Sequence, residues 1–200
     1  MIPLDKVKSR RAHFDNQNKY IYIGHYKAGF SSAVNIALKK RSIRPASKKY
    51  KDITYNEEEF NNIFKFTIIR NPYDRVLSAF FFLQKGNQGP KIPQGTDFKV
   101  WIKKTFKNTG TRFNMHFQKM YNRISYQDNI WVDYIAKLEN INDDWNYIAD
   151  KVDLIKPFPL MNYSKIKKHR FDYYDDECVE IVYNIYKEDI DKLSYSYEDK

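Results

Sequence analysis

Short apolar runs alternate with helical stripes along most of this chain. Tyr20-Ile21-Tyr22-Ile23 is an aromatic and β-branched run that predicts a buried strand. A polar loop with two glycines follows, Gly24-His25-Tyr26-Lys27-Ala28-Gly29-Phe30-Ser31. From Ser32 to Lys40 the apolar residues fall at 33, 34, 37 and 38, one face of a helix. Strand, glycine loop and helix open a nucleotide-type α/β unit. A second unit starts with the apolar strand Phe64–Ile69, which ends at Arg70. Asn71 then offers a capping side chain and Pro72 stands at the first helical position, so a helix is predicted from Pro72 to about Gln84.

Residues 86–95, with two Pro and three Gly, read as a loop, and 98–106 as an amphipathic helix. The polar and aromatic segment 111–122 fits neither period. Residues 131–138 alternate as a strand, and Asn142 or Asp143 can cap a helix ending near Val152. Pro157 and Pro159 break the next stretch. Asp175 caps a last helix with Val179, Val182, Tyr186, Ile190 and Leu193 at spacings of three and four. Residues 1–18 are polar and read as a flexible basic arm ahead of a single domain, 19–200. Alternating strands and helices imply an α/β fold: a short parallel sheet flanked by helices, with a P-loop-like nucleotide-binding core.

Composition narrows the function classes without choosing one. Two hundred residues at 42% apolar can build a core without staples, and no run approaches the ~20 apolar residues of a membrane helix. The sequence from Met1 to Val7 turns charged before any signal-peptide core forms. Lone Cys178 cannot close an internal disulfide and matches no zinc pattern, so a reducing, cytoplasmic compartment is expected. A net charge of +10 calls for an anionic partner: nucleic acid, a phosphorylated cofactor or an acidic polysaccharide. The basic runs are scattered along the chain, and each alone reads as a solvated face.

The first loop has the glycine spacing of a P-loop, Gly24 to Gly29, but Phe30 stands where that motif has Lys. Lys27 lies inside the loop instead, and Ser31-Ser32 opens the helix. The amides of Gly29 to Ser32, two hydroxyls and an ammonium suit a phosphate at a helix N-terminus. Read alone, the same residues are equally a glycine turn. The second element puts Arg70 at a strand end and Ser78 two turns into the next helix. In a parallel sheet both loops open at the carboxyl edge, where ligands bind. Two anion sites on one edge suit a ligand with two separated phosphates.

These two elements resemble the cofactor motifs of sulfotransferases that use 3′-phosphoadenosine 5′-phosphosulfate (PAPS). Tyr26-Lys27-Ala28-Gly29-Phe30-Ser31-Ser32 is similar to the 5′-phosphosulfate loop, and Arg70-Asn71-Pro72-Tyr73-Asp74-Arg75 with Ser78 to the 3′-phosphate motif. Asp133-Tyr134-Ile135 with Leu138-Glu139-Asn140, Leu160 to Ser164, and Tyr173 to Tyr195 resemble the carbohydrate O-sulfotransferase branch. The resemblance spans roughly residues 19 to 197. Three positions depart from the pattern: Tyr26 replaces a proline before the Lys, and Phe30-Ser31 replaces Gly-Thr.

The resemblance implies transfer of a sulfuryl group from PAPS to an acceptor hydroxyl, on a saccharide or another small molecule, leaving adenosine 3′,5′-bisphosphate. It implies Lys27 as the cation at the bridging oxygen, Ala28, Gly29, Phe30, Ser31 and Ser32 around the 5′-phosphate, and Arg70 with Ser78 on the 3′-phosphate. No metal, membrane, nucleic acid or obligate protein partner is required. His116, in Asn114-Met115-His116-Phe117-Gln118, is the candidate base, with Glu57, Glu58 or Glu59 as rivals. His13, His25 and His169 lie in less suitable places: the arm, the loop itself and a basic run. Two other classes stay open at this point. One is a nucleic-acid-binding module using basic and aromatic surface. The other is a nucleotide kinase.

Overall fold

The computed structural model describes Val7 and residues 11–17, 19–38, 42–43, 57–86, 91–159 and 169–199. The chain forms two compact units, Met1–Ile69 with Asn122–Asn162, and Arg70–Tyr121 with Tyr163–Lys200. Among the described residues no helix is long and apolar enough to cross a membrane.

The first unit is built on a five-stranded sheet in the order β3-β1-β2-β4-β7. Its strands are β1 (Ala12–Asp15), β2 (Tyr20–Ile23), β3 (Ser42–Ile43), β4 (Phe64–Ile69) and β7 (Tyr134–Lys137). A hairpin of β5 (Ser125–Tyr126) and β6 (Asn129–Ile130) stands apart from it. Strands β2, β4 and β7 are parallel, with Tyr22 beside Phe66 and Phe66 beside Tyr134. The expected parallel sheet is therefore mixed, because β1 runs antiparallel to β2 and β3 antiparallel to β1.

Strand β1 also corrects the reading of residues 12–15 as part of a flexible arm. Ala12, His13, Phe14 and Asp15 are all buried. The Asp15 carboxylate accepts a hydrogen bond from the Lys19 amide at 2.9 Å, closing the turn into β2. Only two apolar residues mark this strand, too few for a period to show in a charged segment.

On one face of the sheet, Tyr20, Tyr22, Phe66, Ile68 and Ala136 pack against two helices. Helix α1 begins as Phe30–Ser32 and continues as a π-turn through Ala33–Ala37. It contributes Ala33, Val34 and Ala37. A later helix, Ile141–Val152, contributes Ile141, Trp145, Ile148 and Val152. Burial of side chains of this size contributes roughly 1.5–3 kcal/mol each. Ile21, Ile23, Thr67 and Ile69 on the opposite face are also fully buried, which explains why these strands read as continuous apolar runs. Strand β7 is shorter than the pattern predicts. It starts only after Asp133, whose carboxylate accepts from the Lys65 amide at 2.7 Å while its own amide donates to the Lys65 carbonyl. In the chain, α2 (Glu57–Asn62) lies between β3 and β4.

The second unit is helical. Helix α3 (Pro72–Gln84) matches its expected bounds, and the Asn71 side chain accepts from the Tyr73 amide at 3.0 Å with Pro72 at the first position. Helix α4 runs as Phe98–Trp101, a π-turn at Ile102–Phe106, and Lys107–Thr109. The helix of the first unit at Ile141–Val152 is numbered α5, and the last helix, α6, is Asp176–Lys192. The Asp175 carboxylate caps α6 by accepting from the Cys178 amide at 3.0 Å. Val76, Phe80, Trp101, Phe106, Phe117 and Val182 belong to one apolar cluster in this unit.

Candidate active site

In the first unit β2 delivers the chain into a strained turn. Lys27 and Gly29 are both left-handed, at φ 63° and 71°. For Lys27 that conformation costs roughly 1–2 kcal/mol, and such strain persists only where the surroundings fix it. Gly29 has a second reason to lack a side chain, since a Cβ there would meet the Leu138 side chain at 3.0 Å. Gly29 is also the N-cap of α1, and its carbonyl accepts the first helical bond, from the Ala33 amide at 3.0 Å. The amides of Phe30, Ser31 and Ser32 thus precede the first intrahelical donor, Ala33, the position from which a helix start can hold an anion. Ala28 and Ser32 are buried, while Lys27, Gly29, Phe30 and Ser31 are half-buried.

The two bulky residues that depart from the family pattern fold onto this turn. The Phe30 ring lies over Gly24, where a Cβ would collide with it. Tyr26 and Phe30 flank a residue that sequence reasoning passed over. The Arg11 guanidinium sits 3.5 Å from the Tyr26 ring centroid and 3.9 Å from that of Phe30. Arg11 stands in a basic run with no periodic signal, so nothing in the sequence separated it from its neighbours. His13 packs its ring 5.4 Å from Phe30, and His25 is buried within the loop. Glu58 and Glu59 are exposed in the first turn of α2, with Glu57 ahead of them.

In the second unit Arg70 is half-buried directly after β4, and Ser78 is 5% exposed on α3. The first turn of α3 is pinned in place. Asp74 accepts from Arg170 Nη1 at 2.8 Å, and Arg170 Nε and Nη2 donate to the Tyr197 carbonyl at 2.9 and 2.7 Å. Asn71 Nδ2 donates to the Ser196 carbonyl at 2.8 Å.

The segment 111–122, which showed no period, consists largely of short turns held by buried side chains. Tyr186 donates its hydroxyl to the Phe117 carbonyl at 2.6 Å, and Arg75 Nη2 donates to that of Gln118 at 2.7 Å. The fully buried Asp189 carboxylate accepts from the Met120 amide at 3.0 and 2.9 Å and from the Tyr121 amide at 2.8 Å. Burial raises its pKa, opposed by the nearby Arg75 charge and by those amides.

His116 sits in the 3₁₀ turn Met115–Phe117, 4% exposed, its ring centroid 4.8 Å from that of Phe82. Phe82 lies one helical turn beyond Ser78 on the same side of α3. Asn114 Oδ1 accepts from the His116 amide at 3.0 Å and lies 2.6 Å from Nδ1. An amide oxygen only accepts, so in the neutral ring Nδ1 carries the proton and Nε2 is the basic nitrogen. Cys178 is buried and free, and burial pushes its thiol up to about 12, so it is no nucleophile at neutral pH.

The expected residues thus fall into two sets. Lys27, Ala28, Gly29, Phe30, Ser31 and Ser32 share one turn in the first unit, and Arg70, Ser78 and His116 belong to the second. None of the curated proteins or solved structures compared with this chain matches it. The family model described as "Sulfotransferase family" matches residues 14–196, from β1 to beyond the last helix. That match covers both sets and nearly the whole sequence: the chain belongs to the sulfotransferase family.

Proposed function

We propose that this sulfotransferase takes its sulfuryl group from PAPS and passes it to an acceptor hydroxyl on a saccharide. The observation that carries the donor assignment is the left-handed turn at Lys27 and Gly29, which gathers Lys27 and three first-turn amides into one short stretch of chain. That donor set fits a phosphosulfate, whose oxygens accept hydrogen bonds and carry negative charge. Bound there, PAPS supplies an activated sulfuryl group. The chain's own residues do the rest. Ala28 to Ser32 hold the 5′-phosphate, and Arg70 with Ser78 hold the 3′-phosphate, Arg70 through two donors at once.

Transfer breaks the bond from sulfur to the phosphate oxygen and forms one to the acceptor oxygen. Negative charge grows on the departing phosphate oxygen, where Lys27 offsets it. His116 takes the acceptor proton on Nε2, the nitrogen left basic by the hydrogen bond to Asn114. A buried ring with a fixed tautomer suits this role better than the exposed Glu58 and Glu59. The test is transfer of labelled sulfate from PAPS to a panel of hydroxylated saccharides. We expect at least one labelled product, and none from a Lys27→Ala, His116→Ala double variant. Label released at the same rate by both proteins would refute the assignment.

A further inference from the structure

We propose that Arg11 is an anion-binding residue of the phosphate loop, holding the 5′-phosphate end of the donor beside Lys27. The proposal rests on the reading of residues 26–32 as the 5′-phosphosulfate site. Its placement follows from strand register. Ala12 pairs with Ile23, so Arg11 lies opposite Gly24, where the chain leaves β2 for the loop, and the Gly24 amide donates to its carbonyl at 3.3 Å. Arg11 is itself left-handed, at φ 62°, a strained conformation for a long side chain. Its guanidinium then contacts the rings of Tyr26 and Phe30, the residue before Lys27 and the residue after Gly29.

Guanidinium stacks on aromatic faces because it is planar and weakly hydrated, and stacking leaves its N–H donors in their own plane. Two rings contacting one guanidinium restrict that plane, and a restricted fork loses less freedom when it meets a phosphate. Lys27 offers a point charge, whereas Arg11 offers a directional fork matched to phosphate oxygens. Tyr26 and Phe30, the two bulky departures from the family pattern, both contact Arg11. The departures thus acquire one physical reason, and Gly24 is what leaves room for the Phe30 ring.

The experiment is titration calorimetry on the full chain with adenosine 5′-phosphate and, separately, adenosine 3′-phosphate. Arg11→Ala should weaken the 5′-phosphate by about tenfold or more, as expected for losing hydrogen bonds to a charged group. The 3′-phosphate should change by less than about twofold. Arg11→Lys, which keeps the charge without the plane, should recover only part of the loss, and Phe30→Ala should weaken the 5′-phosphate while leaving Arg11 in place. A mere strut would weaken both ligands together or neither, and either result overturns the proposal. If Arg11→Ala does not fold, the Arg11→Lys and Phe30→Ala arms decide it: unchanged 5′-phosphate affinity in both overturns it. Inorganic pyrophosphate separates the two claims. Arg11-dependent pyrophosphate binding without any adenosine phosphate binding would sink the PAPS reading and keep Arg11. Binding of none of these probes by the unmutated protein would sink both.

Discussion

The two motifs proposed to hold the donor's phosphates are built in opposite ways. In the second unit Arg70 precedes and Ser78 stands within a regular helix, with a side-chain cap, a proline at the first position and an Asp74–Arg170 ion pair. In the first unit the turn at residues 26–32 stands on two left-handed residues, leads into a π-turn, and leans on aromatic rings and one guanidinium. A capped helix is robust to single changes, because many small terms hold it. A strained turn depends on a few contacts, each of them consequential. The comparison teaches that catalysis and cofactor affinity should respond differently to substitutions in the two regions.

The largest effect is expected at His116. His116→Ala should lower the rate by about 10²–10⁴ and remove the rise of rate with pH on the acid side, since only the neutral ring accepts a proton. Asn114→Ala tests the tautomer behind it. The ¹⁵N spectrum of the unmutated protein should show the His116 proton on Nδ1, and the variant should lose that preference. A normal rate with an unchanged pH profile in His116→Ala would make it a packing residue.

Next comes the buried network beneath that turn. Asp189→Ala leaves the buried Arg75 without its neighbouring charge and the Met120 and Tyr121 amides without their acceptor, so we expect a loss of about 3–5 kcal/mol in denaturant unfolding. Lys27→Ala should slow turnover on the order of a hundredfold while adenosine 3′,5′-bisphosphate binding changes far less. Collapse of binding with turnover intact at saturation would make Lys27 only a phosphate clamp. The smallest effect is at the start of α6. The cap bond to the Cys178 amide and the Lys103 ammonium hold the Asp175 carboxyl down at about 2. A depressed carboxyl stabilises the fold above its unfolded value near 4 and stops doing so as pH falls toward 2. Asp175→Ala should cost about 1 kcal/mol at neutral pH and flatten the acid slope of a melting series.

Legibility in the sequence follows the same division. Strands Tyr20–Ile23 and Phe64–Ile69 and helix Pro72–Gln84 carry local signals that packing reinforces, and their bounds came out as expected. The π-turns at Ala33–Ala37 and Ile102–Phe106 show no such signal, because the helical apolar stripe looks the same with one residue more per turn. The turns around His116 depend on Tyr186 and Asp189, some seventy residues away, and no local pattern encodes a bond of that span. Helix α5 starts from Asn140, ahead of the expected Asn142 or Asp143 and with no side-chain cap bond, while the Asp144 carboxylate accepts from the Lys137 amide at 2.7 Å. Strand β1 and Arg11 were hidden by charge: a basic segment reads as solvated until a strand pairing buries part of it.

The central claim is that the two motifs serve one ligand with phosphates at its 3′ and 5′ positions. Titration calorimetry of the unmutated protein and Arg70→Ala, with adenosine 3′,5′-bisphosphate and with ATP, tests it most directly. The account predicts that the unmutated protein binds the bisphosphate more tightly, and that Arg70→Ala loses about 1.5–3 kcal/mol on the bisphosphate and little on ATP. Equal affinity of the unmutated protein for both nucleotides would contradict it.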